Sequence, residues 1–210
     1  MTNLDAILFA KGFIHAFVIN LEVAIGSLIL GLLAALPLTY VRQKQGLYAW
    51  TSETLIAFFR AFPVFVLLYV LFNASSFQFI SDAYGNQSVE LFVVILALCA
   101  YSITAISDAM LDSWKKLDSG DLQLAWLFIP NCFRIFTILI LASGIGAAIG
   151  LQDSVAFSIQ KIDLIEDRVE KIFVLFAVCI FYVVFLSIFK VLLDRVVLIM
   201  TRKKTPQISS

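Results

Sequence analysis

The sequence predicts an all-α integral membrane protein, a five-helix bundle, and three observations carry the prediction. The 210 residues are 61% hydrophobic, with 20 phenylalanines and a mean hydropathy of +0.98, which is more apolar surface than a soluble domain of this length can bury. Charged residues make up 14% of the chain and gather between apolar runs instead of spreading through them. The runs themselves, about 12–41, 54–80, 89–111, 133–151 and 172–199, each meet the roughly 20-residue length that lets an α-helix cross the hydrocarbon core, the fourth only just. They lack the alternation of transmembrane β-strands.

Composition also excludes several functions. With 15 basic and 15 acidic residues there is no net charge to attract nucleic acid or another bulk polyanion. Cys99 and Cys179 lie inside apolar runs and Cys132 at the start of one, as small apolar fillers do. His15 is the only histidine, and without a Cys/His cluster or a His-Glu-x-x-His pattern no metal-ligand set is expected. No nucleophile–base pair is visible either, so the chain is not expected to be an enzyme. The first run is too long for a signal-peptide core and reads as a retained helix.

Orientation follows from the bases. Arg42 and Lys44 follow the first run, Arg60 sits at the near end of the second, Lys115 and Lys116 follow the third, and Arg202, Lys203 and Lys204 follow the fifth. The stretch 81–88 has no base, and 152–171 has three bases (Lys161, Arg168, Lys171) against five acids (Asp153, Asp163, Glu166, Asp167, Glu170). Short loops rich in Lys and Arg stay in the cytoplasm. The expectation is one multi-pass transmembrane domain over residues 1–210 with its N-terminus outside, its C-terminus inside, a cytoplasmic loop at 112–132 and an external segment at 152–171.

Each run then has its own logic. The first is longer than a perpendicular span and should tilt. Gly26 and Gly31 permit close helix approach, and Pro37 should kink or end the helix. Glu22 lies near the middle, where a carboxyl must be protonated, paired or facing water; it is a candidate for the translocation path or for burial against a neighbouring helix or partner. Thr51 and Ser52 read as N-caps of the second helix, with Glu53 in its first turn. Arg60 can snorkel to the headgroups, and Pro63 beside it should bend the helix.

In the third run Tyr101, Thr104 and Asp108 fall at i, i+3 and i+7 on one face, which could line a polar route or meet other helices. Ser102 and Thr104 could equally satisfy backbone carbonyls. The fourth run holds Gly146-x-x-x-Gly150, a small-residue packing motif. Segment 152–171 mixes apolar and charged residues and reads as a short external or re-entrant helix. In the last run Asp194 is spaced to pair with Lys190, and 205–210 read as a disordered tail.

Three stretches carry a family resemblance. Gly12–Glu22 through Gly31–Ala35 looks like the first helix of polar amino-acid permeases of ATP-binding-cassette importers, and Phe59-Arg60-Ala61-Phe62-Pro63 resembles their Phe-Arg-Gly-Thr-Pro. Tyr101–Asp108 followed by Leu117–Ala125 is similar in spacing to their third helix and the start of their Glu-Ala-Ala loop. The resemblance implies the type I importer permease fold in a bacterial inner membrane. It also implies a second permease subunit, cytoplasmic ATPases, an external substrate-binding protein and surrounding lipid as partners. ATP would act through those partners, with no cofactor bound here directly. In the family the Glu-Ala-Ala loop docks on the ATPase. Here Gln123-Leu124-Ala125 stands in its place, Leu122 and Trp126 flank it, and Ile129-Pro130 with Arg134 resembles its end; about ten residues, roughly 15 Å of helix, are missing between. With so degenerate and shortened a loop, the resemblance implies that the partner permease makes the main ATPase contact. The alternative is a non-transporting membrane subunit that stabilises or regulates a partner complex.

Overall fold

A computed structural model describes residues 3–44, 46–74, 85–120 and 125–202. Within them the chain folds into α1 (Asn3–Arg42), α2 (Leu47–Ala61), α3 (Val64–Asn73), α4 (Asn86–Asp118), α5 (Phe128–Ser143), a 3₁₀ segment (Gly144–Ile149), α6 (Ser154–Asp163) and α7 (Arg168–Arg202). Four stretches are long and apolar enough to cross a membrane, and α2 with α3 makes a fifth if that bent pair counts as one span. The protein is an all-α membrane fold.

The bundle is organised on α1 and α4. Ser27 Oγ donates to the Ile95 carbonyl at 3.2 Å, Ser102 Oγ to the Ser27 carbonyl at 2.7 Å, and Thr39 Oγ1 to Ser107 Oγ at 2.9 Å. Residue numbers rise together on both helices along this contact, so the pair runs parallel. Lipid offers helices no hydrophobic drive to associate, and close packing with interhelical hydrogen bonds must hold them. Gly31 supplies the closeness: a Cβ there would sit 2.0 Å from Ser102 Oγ. Ile106, Leu98, Val93 and Val94 of α4 and Leu139 and Ile140 of α5 are buried in the resulting core with Val23 and Ala24 of α1.

The second run departs from a plain span. Its helix starts at Leu47, after Gly46 at φ 99°, so Thr51 and Ser52 lie inside it instead of capping it. Their hydroxyls donate to the Tyr48 and Leu38 carbonyls. At Phe62-Pro63 the backbone becomes extended and α3 leaves at 90° to α2. Proline lacks the N–H that would continue the helix and forces the residue before it out of helical geometry. The last part of the predicted span, 75–80, lies outside the described residues, as does the tail at 205–210.

Two boundaries also differ. The third helix continues through Asp118, so Lys115 and Lys116 lie in its last turn, where the helix dipole favours cations, and not in a loop starting at 112. The fourth helix stops at Ser143. Gly146 and Gly150 therefore form no helical face: Gly146 packs under Leu151, and Gly150, at φ 101°, ends the 3₁₀ segment by reversing the chain. Segment 152–171 holds α6, whose Phe157 ring lies over Gly12 of α1. Helix α7 closes on α1 through edge-on rings, Phe17 against Phe181 and Phe185 at 5.0 and 4.9 Å, and leaves most of its apolar surface exposed.

Candidate functional site

At the Arg42 end of the bundle, Asp108 joins three helices. Arg42 Nη1 of α1 donates to its Oδ1 at 3.0 Å, and Arg60 Nη2 of α2 donates to Oδ2. Arg42 also donates to Ser107 Oγ at 3.1 Å. The Arg42 side chain is 12% exposed and that of Arg60 59%, so Arg42 makes the less screened bond and Arg60 the weaker one. Arg42 Nε is buried without a partner among the described residues, which leaves this arginine dependent on Asp108 and Ser107.

Above this junction opens a cavity of about 630 Å³ between the α2–α3 elbow, α4 and the start of α5. The elbow contributes Phe59, Arg60 and Phe62; α4 contributes Tyr101, Thr104, Asp108 and Asp112; α5 contributes Asn131 and Arg134. The turn at Pro63, which sets α3 at 90° to α2, forms the cavity wall opposite α4 through Phe59, Arg60, Phe62, Pro63 and Val64. Thr104 Oγ1 donates to its own helix at the Tyr101 carbonyl, 2.8 Å away, and Ser102 faces α1 instead. Hence the Thr104 hydroxyl proton is already committed within its own helix.

Three of the four translocation-path candidates, Tyr101, Thr104 and Asp108, therefore line one cavity. Glu22 does not join them; it is exposed on α1. Of the ATPase-docking candidates, Leu122, Gln123 and Leu124 lie outside the described residues. Ala125 and the half-exposed Trp126 line a second, apolar cavity of about 440 Å³ with Leu36, Trp114, Leu117 and Phe128. Sequence reasoning used Arg42 and Arg134 only for orientation and motif matching and passed over Asn131. A cation one turn from an apolar boundary was the available signal, but its partner is set by helix packing.

A second polar cluster at the opposite end was not anticipated. Asn20 of α1 donates through Nδ2 to Ser143 Oγ at 2.8 Å and to Asp153 Oδ2 at 3.4 Å; its Oδ1 accepts from the Ser154 amide at 3.0 Å and from Ser154 Oγ at 2.7 Å. Ser154 Oγ is also 2.7 Å from the Tyr182 hydroxyl of α7. Asp153 caps α6, accepting from the Val155 and Ala156 amides. Asn20, Ser143, Asp153 and Ser154 are all fully buried. Burial pushes the Asp153 carboxyl up to about 6, against the opposing pull of the two amides and Asn20. The cluster ties α1, α5, α6 and α7 together; Asp is a residue type favoured at a helix start, but the sequence reading assigned no cap at Asp153 and no partner to Asn20.

No protein-family model and no curated protein matches this sequence. Among solved structures it is similar to one described as the crystal structure of an amino acid ABC transporter with histidines, with a TM-score of 0.65 and 13% identity, over 93% of this chain and 99% of that one. At that identity the likeness is one of fold, and the protein has the all-α membrane fold of a chain from an amino acid ABC transporter.

Proposed function

We propose that the protein is a permease subunit of an amino-acid ATP-binding-cassette importer in a bacterial inner membrane. The fold match over nearly the whole of both chains carries this reading, and the order of the three family-like motifs supports it. The chain stands with its N-terminus outside and its C-terminus in the cytoplasm, beside a second permease subunit. Cytoplasmic ATPases close on binding ATP and rock the paired permeases between inward-open and outward-open states, while an external binding protein delivers the solute. The cavity at Tyr101, Thr104 and Asp108 is this subunit's part of the path, and Glu22 faces the partner subunit or the path between them. Around Leu122, Gln123, Leu124, Ala125 and Trp126 the shortened loop makes a lesser ATPase contact than the partner's loop.

The test is to purify the complex through a tag on this chain and reconstitute it in liposomes. ATP-driven, binding-protein-dependent amino-acid uptake is expected. A chain that copurifies with no ATPase, or a complex that takes up nothing, overturns the proposal.

A further inference from the structure

Three polar groups lining the cavity, two on α5 and one on α4, have no hydrogen-bond or ion-pair partner among the described residues: the Arg134 guanidinium, the Asn131 amide and the Tyr101 hydroxyl. Asn131 and Arg134 sit three residues apart on α5 and so share a face, and Arg134 is near enough for its charge to act on the Tyr101 phenol across the gap. All three can donate hydrogen bonds. The acids that line the cavity do not answer them: both oxygens of Asp108 are taken by Arg42 and Arg60, and Asp112 pairs with no cation among the described residues. Such a convergence of donors with one fixed positive charge is the chemistry that holds a carboxylate, which a guanidinium grips in a bidentate way.

We infer that Arg134, with Tyr101 and Asn131, binds the carboxylate of the solute that enters this cavity. The inference rests on the transport reading for the source of that solute. A phospholipid headgroup offers an anion too, but the aromatic elbow at Phe59 and Phe62 and the volume of about 630 Å³ suit a small molecule with room for its side chain.

The experiment uses the complex purified through this chain, in nanodiscs of phosphatidylcholine alone or with phosphatidylglycerol, without binding protein. Binding of L-phenylalanine, L-glutamine and L-arginine is measured beside the carboxamide of each, whose terminal group is neutral. At least one acid should bind at least ten-fold tighter than its amide. Arg134→Gln should weaken that acid about ten-fold and leave the amide unchanged, Arg134→Lys should recover part of the loss, and Tyr101→Phe should cost a few-fold. Phosphatidylglycerol should not compete. The inference falls if acid and amide bind alike, if Arg134→Gln weakens both equally, if none of the acids binds, or if phosphatidylglycerol displaces them. Unfolding of each variant is followed to confirm that it folds as the wild type does. Uptake by the reconstituted complex separates the two readings. Normal uptake by Arg134→Gln removes the carboxylate site and leaves the transport proposal standing, whereas acid binding without any uptake does the reverse.

Discussion

At the Asp153 end of the bundle a carboxyl group is fully buried and held by three amides, those of Val155, Ala156 and Asn20; at the Asp108 end a carboxylate that is 46% exposed is held by two guanidinium groups. The first arrangement avoids bringing a cation into the interior and accepts an acid that is costly to ionise. The second keeps both charges and lets water or headgroups solvate part of them. Buried, uncharged hydrogen bonds fix geometry because each group has few alternatives and an unmade bond is expensive. Exposed ion pairs exchange partners cheaply. The difference suits a rigid joint at one end and an adjustable, cavity-facing wall at the other.

The comparison can be broken most forcefully at Asn20. Asn20→Leu keeps the branched shape of the side chain but leaves Ser143, Asp153 and Ser154 without their shared partner, and should cost about 3 kcal/mol in denaturant unfolding in detergent. A loss below about 0.5 kcal/mol would mean that water replaces Asn20 and that this end is not a rigid joint.

Asp153 gives the next largest effect, and its sign separates the two ends. Its folded pKa of about 6 lies above the ordinary 3.8, so its contribution to stability is fully present below about pH 4 and is lost as pH rises through 6. The gap of about two pH units is worth about 3 kcal/mol at most. Asp153→Asn should flatten this part of the stability profile between pH 4 and 7, measured by thermal unfolding across the series. A wild-type profile that rises over the same interval would show the carboxyl to be stabilised in its charged form.

Smaller losses are expected at the other end. Asp108→Asn strands the shielded Arg42 and should cost about 2 kcal/mol. Arg60→Gln removes only the exposed partner and should change stability by less than about 0.5 kcal/mol, with the remaining Asp108 effect insensitive to salt because it belongs to Arg42. If Arg60→Gln proves as damaging as Asp108→Asn, the elbow is held by the exposed pair and the contrast between the two ends disappears.

The number and sequence of the apolar runs were legible because length and hydropathy are properties of contiguous residues. So was the bend at Pro63, which proline imposes on its own neighbour, and the shared face of Tyr101, Thr104 and Asp108, which needs only helical periodicity. The helix ends were less so. Lys115 and Lys116 read as loop residues, yet they extend α4, since polarity marks the edge of a membrane and not the end of a helix. Gly146 and Gly150, spaced like a helix-packing motif, instead lie in a 3₁₀ turn and at its left-handed end, with Leu151 and Val94 packed close on Gly146. Tertiary structure alone decided which polar groups meet: Arg42 and Arg60 with Asp108, and Asn20 with residues more than a hundred positions away. Periodicity places a side chain on a face of its own helix, but the partner of that face depends on how far neighbouring helices slide and rotate. That register is set here by small residues such as Gly31, whose missing side chain lets α4 approach to a distance no local pattern specifies.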